Sequence, residues 1–198
     1  MDKIICLGKN YAEHTLEMQE KAPERPVLFL KPQSSFIEPK NNSQVVLPWH
    51  RGNIHYECEI VFKLYKKMVI GLGLGLDLTL RDEQKKLKEN GHPWEISKVF
   101  KNSAIVTPIR GVKDFEGDWQ ETPFIFKVNG EVRQTAKLND AILKANEIIH
   151  YIDEFFPICD GDLVFTGTPK GVGPLKPNDT VELIFGPIHH TIRLVEHG

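Results

Sequence analysis

Long apolar runs, a basic excess and paired cysteines are all missing from this sequence of 198 residues. No apolar stretch approaches the ~20 residues that cross a bilayer, so no membrane partner is expected. Lysine and arginine number 25 against 27 aspartates and glutamates, for a net charge of −2. That balance gives no electrostatic footprint for nucleic acid. No Gly-x-Gly-x-x-Gly opens a helix and no Gly-Lys-Ser/Thr loop follows a strand, which argues against a dinucleotide or P-loop nucleotide site. Internal repeats, linkers and low-complexity tracts are absent too. The three cysteines, Cys6, Cys58 and Cys159, are odd in number, scattered and set in apolar segments. They read as buried thiols of a reducing compartment rather than a disulfide framework. The opening Met1–Gly8 is broken by glycine too soon for a signal peptide. A cytoplasmic location follows as an expectation.

What is present is enough chain for one domain, with residues 1–198 read as a single catalytic unit. Short apolar segments bounded by turns predominate: Ile4–Leu7, Val27–Leu30, Val45–Leu47, Tyr56–Leu64, Leu72–Leu80, Leu163–Thr166, Thr180–Phe185 and His190–Val195. Asn129-Gly130 between Phe124–Val128 and Glu131–Gln134 has the residues of a type I′ hairpin turn. Helical patterns are fewer. Arg81–Glu89 ends at Asn90-Gly91, Ala141–Phe155 carries apolar residues at helical spacing, and Asn10–Lys21 is polar with helical tendency. The chain is therefore expected to be α+β and mostly β.

Chemistry is concentrated in four places. In Tyr56-Glu57-Cys58-Glu59-Ile60, the two glutamates project from one face of a strand and Cys58 from the other. Asp77 lies in a glycine-leucine run with no lysine beside it in sequence. Three carboxylates in apolar surroundings suit one hard cation of the Mg²⁺ type, although a solvated strand face has the same pattern. His14 and Glu17, three apart, share a helix face; they form either a general base for water or an ordinary surface pair. Lys98, set among Trp94, Ile96, Val99 and Phe100, either snorkels or is presented to an anion. The glycine-rich turn after Leu163–Thr166 exposes backbone N–H groups and the Thr168 hydroxyl, which can grip a carboxylate.

Together these segments resemble the fumarylacetoacetate hydrolase family across essentially the whole chain. The resemblance is carried by GKNYAEH (8–14), FLKP (29–32), YECE (56–59), LDLTLRD (76–82), GHPWEISKVF (91–100), VNGEVRQ (128–134) and GDLVFTGTPKGVG (161–173). The acylpyruvate hydrolase/oxaloacetate decarboxylase branch is the most similar. The resemblance implies a mixed β-sandwich roll, a homodimer, and one Mg²⁺ per subunit, with Mn²⁺ or Ca²⁺ as alternatives. It places the metal on Glu57, Glu59 and Asp77 and the acid/base pair on His14 and Glu17, in a mobile lid over residues 10–22. Lys98 matches the family's active-site lysine, while Arg81, Gln84 and Thr168 match positions lining the substrate site. One departure is visible: Leu64-Tyr65-Lys66-Lys67 passes almost directly to Met68-Val69-Ile70-Gly71, where the family has a longer stretch.

The resemblance implies metal-dependent cleavage of a C–C bond in a short β-keto acid, by acylpyruvate hydrolysis, oxaloacetate decarboxylation or both, through a stabilised pyruvate enolate. The alternatives are an isomerase or tautomerase of an enol acid or 2-hydroxy-dienoate, and a non-catalytic metal-binding scaffold. Substrate selectivity is expected in the lid and in residues 48–55.

Overall fold

The computed structural model describes residues 2–12 and 25–196. The expected helix over Asn10–Lys21 lies outside the described residues beyond Ala12, and so do His14, Glu17 and most of the lid at 10–22. Among the described residues no helix is long and apolar enough to cross a membrane.

The architecture follows from the strand Cys58–Tyr65, which is buried everywhere except Lys63 and Tyr65. A strand apolar on both sides must be covered on both sides. Ile60, Phe62 and Leu64 enter the main core with Leu72, Leu74, Phe126 and Leu183, whereas Val61 joins Cys6, Val106 and Phe165 on the opposite face. This strand sits inside an eight-stranded mixed sheet. Seven strands run in the order Val27–Pro32, Lys3–Gly8, Leu163–Phe165, Cys58–Tyr65, Met68–Asp77, Ala104–Val106 and Phe36–Ile37. The eighth, Arg110–Gly111, pairs with Met68–Asp77.

A five-stranded sheet supplies the other wall of the main core, in the order Glu131–Ala136, Phe124–Val128, Thr180–Phe185, Ile188–Val195 and Ser43–Val46. Its long strands alternate buried and more exposed residues, as a sheet with one covered face requires. Ile148 and Ile152 of helix Ala145–Phe155 pack into the same core. A third, three-stranded sheet joins Gly173–Pro174, Ile54–Tyr56 and Thr79–Leu80. The chain is thus mostly β, as the turn-punctuated sequence implies.

Both hairpin questions are answered by register. Asn129 and Gly130 have φ of 53° and 83°, the left-handed pair of a type I′ turn. Tyr65 pairs with Met68, so Lys66 and Lys67, at φ 49° and 56°, close the other hairpin in two residues. The link that departs from the family pattern is therefore a tight turn.

Two expectations are corrected. The helix expected from Ala141 starts at Ala145. Asn10 explains the difference: its backbone carbonyl accepts from Ile142 N–H over 2.7 Å, and its side-chain oxygen accepts from Leu143 N–H over 2.8 Å. A long-range contact thus overrides local helical spacing. Cys159 is exposed, unlike buried Cys6 and Cys58, because it stands in the loop before Leu163 rather than in a strand.

Candidate active site

The site begins with the pairing of two strands. Glu59 stands opposite Gly75, and the Asp77 N–H donates to the Glu57 carbonyl over 2.9 Å. Leu72, Leu74 and Leu76 therefore face the main core, while Gly71, Gly73, Gly75 and Asp77 face the other side. Phe165 fills the space beside Gly75: a Cβ there would stand 2.5 Å from its ring and 2.7 Å from Val61. The close approach at Gly75 comes from side chains. Beyond this packed zone, oxygens of Glu57, Glu59 and Asp77 all lie within 4.8 Å of one another. The solvated-face reading fails, since Asp77 is 1% exposed and Glu59 2%.

Each carboxylate has a protein donor. Arg81 opens helix Arg81–Glu89 and donates from Nη2 to Glu57 Oε1 over 2.6 Å and from Nη1 to Gln84 Oε1 over 2.7 Å. Gly167 N–H donates to Glu59 Oε2 over 2.6 Å. Lys98, on the short helix Glu95–Lys98, reaches Glu57 Oε2 at 2.8 Å and Asp77 Oδ2 at 2.6 Å. Its ammonium lies 5.1 Å from the Phe29 ring centre, while Ile96, expected to enclose it, is exposed. Lys98 is therefore buried against anions and does not snorkel.

Two residues that sequence reasoning did not select complete the arrangement. Lys31 is fully buried, with Nζ 2.7 Å from Asp77 Oδ1, an ion pair off the ideal hydrogen-bond angle. It also donates to the carbonyls of Leu78 and Ser103 over 3.2 and 2.8 Å. Gln134 accepts from Cys58 N–H over 3.0 Å and donates to Thr168 Oγ1 over 2.8 Å, and Thr168 in turn donates to the Cys58 carbonyl over 2.9 Å. The backbone of Cys58, between the two glutamates, is thus held at both its N–H and its carbonyl. The only local signals were a lysine between Leu30 and Pro32 and a glutamine ending a hairpin, both inside blocks that carry the family resemblance.

Burial, then repulsion from Asp77 and Glu57, pushes the Glu59 carboxyl well above the usual carboxylate range, against the Gly167 hydrogen bond. Burial pulls the Lys98 ammonium down, yet Asp77 and Glu57 together outweigh it and hold its pKa above the ordinary value. For Lys31 burial prevails over the single carboxylate Asp77, and its pKa is lowered. Among the described residues no cation forms an ion pair with Glu59. An all-oxygen donor set containing a buried carboxylate without its own counter-charge fits a hard divalent ion.

The cleft above the triad is walled by Leu7, Phe29 and Trp94 and edged by Lys9, Arg81, Gln84, Lys88 and Thr168. Arg81, Gln84 and Lys88 lie on one helix face by their spacing of three and four. Residues 48–55, expected to shape selectivity, do not line this cleft. The structure therefore brings together Glu57, Glu59, Asp77, Lys98, Arg81, Gln84 and Thr168; the placement of His14 and Glu17 falls outside the described residues.

Comparison with known proteins identifies the family. The family described as fumarylacetoacetate (FAA) hydrolase C-terminal matches residues 3–193. The oxaloacetate tautomerase YcgM of Escherichia coli (strain K12) is 37% identical over 206 residues, covering 98% of this chain and 93% of its own. The mitochondrial oxaloacetate tautomerase FAHD1 of Bos taurus is 37% identical over 190 residues, covering 90% of this chain and 85% of its own. Fumarylpyruvate hydrolase from Pseudomonas aeruginosa, solved with Mn²⁺ and pyruvate, superposes with a TM-score of 0.91 at 31% identity. That match covers 100% of this chain and 91% of the other.

Proposed function

This chain belongs to the fumarylacetoacetate hydrolase family, and on that premise we propose a divalent-cation-dependent enzyme that enolises a short 2-oxo acid, with oxaloacetate tautomerisation as its leading reaction. The observation that carries this reading is the buried Glu57–Glu59–Asp77 triad with Lys98 beside it. A cation held by the three carboxylates, Mg²⁺ first and Mn²⁺ or Ca²⁺ as alternatives, supplies Lewis-acid stabilisation of charge developing on the 2-oxo oxygen.

The residues divide the remaining work by their protonation and position. Lys98, paired with Glu57 and Asp77, places a positive charge beside the developing enolate. Arg81, oriented by Glu57 and Gln84, retains guanidinium donors for a substrate carboxylate. Leu7, Phe29 and Trp94 provide apolar walls that limit water and strengthen these interactions. Tautomerisation requires one proton to move between C3 and the 2-oxo oxygen. We assign that transfer to His14, with Glu17 orienting it and stabilising its charged form.

A second reading, hydrolysis of an acylpyruvate, is favoured by the likeness to the Pseudomonas fumarylpyruvate hydrolase. It uses the same enolate stabilisation and adds water deprotonated by the His14–Glu17 pair. Oxaloacetate decarboxylation would need the enolate stabilisation but no attacking water. A homodimer is proposed on the family resemblance, to be checked by light scattering.

The deciding experiment measures three activities side by side with Mg²⁺ or Mn²⁺. These are decay of enol-oxaloacetate by ultraviolet absorbance, CO₂ release from oxaloacetate, and pyruvate release from acetylpyruvate and fumarylpyruvate. Cation-dependent enol decay that is lost in Lys98→Ala is the expected result. Faster pyruvate release from an acylpyruvate would favour the second reading. No turnover of any of these compounds by the folded, cation-supplemented protein would leave only a metal-binding scaffold.

A further inference from the structure

Helix Arg81–Glu89 lays a row of three side chains along the cleft: Arg81, Gln84 and Lys88, spaced by three and four. Arg81 is tied to Glu57, so the row starts at the triad and runs away from it. The Lys88 backbone stands ~10 Å farther along the helix axis, and a lysine on a helix leans back toward the N-terminal end. Its ammonium lies over the Trp94 ring, 5.0 Å from the centroid, whereas Lys85 and Lys86 of the same helix are exposed. Trp94 meets Phe29 edge to face at 6.3 Å between centroids, and Phe29 in turn lies 5.1 Å from the Lys98 ammonium. One aromatic wall thus carries an ammonium at each end, Lys98 on the triad and Lys88 away from it. We propose that Lys88 is a specificity-determining residue: it binds the distal carboxylate of a four-carbon 2-oxo diacid and so keeps that carboxylate from leaving as CO₂. The inference rests on the enolisation reading above and deepens it.

The two fates of such a diacid differ in what happens to its distal charge. In tautomerisation a proton moves between C3 and the 2-oxo oxygen, and both the C3–C4 bond and the distal negative charge stay. In decarboxylation the C3–C4 bond breaks, its electron pair becomes the C2–C3 double bond as the 2-oxo oxygen takes the charge, and C4 leaves as neutral CO₂. An ammonium on the distal carboxylate stabilises the bound diacid but loses its partner as CO₂ departs, so it raises the second barrier. The first transition state keeps the whole interaction. Arg81 is placed for the other carboxylate, because its guanidinium is fixed on Glu57 and Gln84 beside the triad. Contact with Trp94 holds the Lys88 ammonium through its charge and takes no hydrogen-bond acceptor.

The test compares enol-oxaloacetate with the enol of its 4-methyl ester, which keeps the shape and removes the distal charge. Wild type, Lys88→Met, Lys88→Arg and Lys85→Met are assayed with Mg²⁺ for enol decay, and for CO₂ release from oxaloacetate after subtracting the rate with Mg²⁺ alone. Lys88→Met should lower the diacid-to-ester preference in kcat/KM by about tenfold, the scale of one charge-assisted hydrogen bond. It should also raise the ratio of CO₂ release to enol decay. Lys88→Arg should restore both readouts, and Lys85→Met, the same loss of charge on the exposed face, should move neither. Should Lys88→Met fail to fold, Lys88→Gln carries the same expectations. An unmoved diacid-to-ester preference would show a merely structural lysine and overturn the inference. A CO₂ ratio that stays at the wild-type value, or an equal shift in Lys85→Met, would do the same. Absence of turnover by wild type would instead remove the enolisation reading, and this inference with it.

Discussion

Gly167 donates its backbone N–H to Glu59 over 2.6 Å, tying the glycine turn after the strand Leu163–Phe165 to the most buried glutamate of the triad. The turn reaches Glu59 only because Gly167 adopts φ +96°, and a Cβ there would lie 2.8 Å from Asn10 Cβ and 3.2 Å from the Leu7 carbonyl. Gly167→Ala should therefore cost about 1–3 kcal/mol of stability through backbone strain, before counting any lost hydrogen bond. It should weaken Mn²⁺ binding as well. Urea unfolding and a Mn²⁺ titration check the two effects separately.

Glu59 makes the cation-free protein sensitive to pH in a direction set by its raised pKa. The folded state keeps this proton at pH values where the unfolded chain, near the ordinary value of 4.5, has lost it. The folded state then binds more protons, so this contribution to stability falls as pH rises through the raised pKa. Glu59→Gln should flatten that part of the stability profile. Cation affinity should increase over the same window, with proton release seen by calorimetry in two buffers of different ionisation enthalpy. Equal proton release in Glu59→Gln would refute the assignment.

Asp77 is the shared partner of two buried lysines, with Lys31 on one oxygen and Lys98 on the other. Asp77→Asn leaves both ammonium groups short of counter-charge and should destabilise the fold by about 3–5 kcal/mol, as breaking a buried ion pair does. Chemical denaturation of wild type and variant measures it. Turnover should be lost even under conditions where the variant stays folded.

Gly75 has no room for a side chain, because Phe165 and Val61 already occupy the space opposite Glu59. Gly75→Ala should cost about 1–3 kcal/mol by overpacking. Gly75→Ala/Phe165→Leu should recover part of that loss. If the double variant is no more stable than the sum of the two single changes, the proposed steric cause is wrong.

His14 separates hydrolysis from decarboxylation. His14→Ala should impair acylpyruvate hydrolysis more than oxaloacetate decarboxylation, because only hydrolysis needs an activated water. Parallel losses in the two assays would refute that division of labour.

The sequence by itself determined the mostly-β class, the Asn129-Gly130 hairpin and the helix Arg81–Glu89. Each is written in a local period or a turn dipeptide, and local sterics are enough to realise them. The tertiary structure decided what no local pattern contains. Lys31 lies forty-six positions from Asp77, and Gln134 meets the Glu57–Glu59 segment only when two different sheets close on each other. The same long-range packing delayed the helix start to Ala145 through Asn10 and settled whether Lys98 faces water or anions. A buried charge takes its role from the groups folded around it, because desolvation makes every unpaired partner costly.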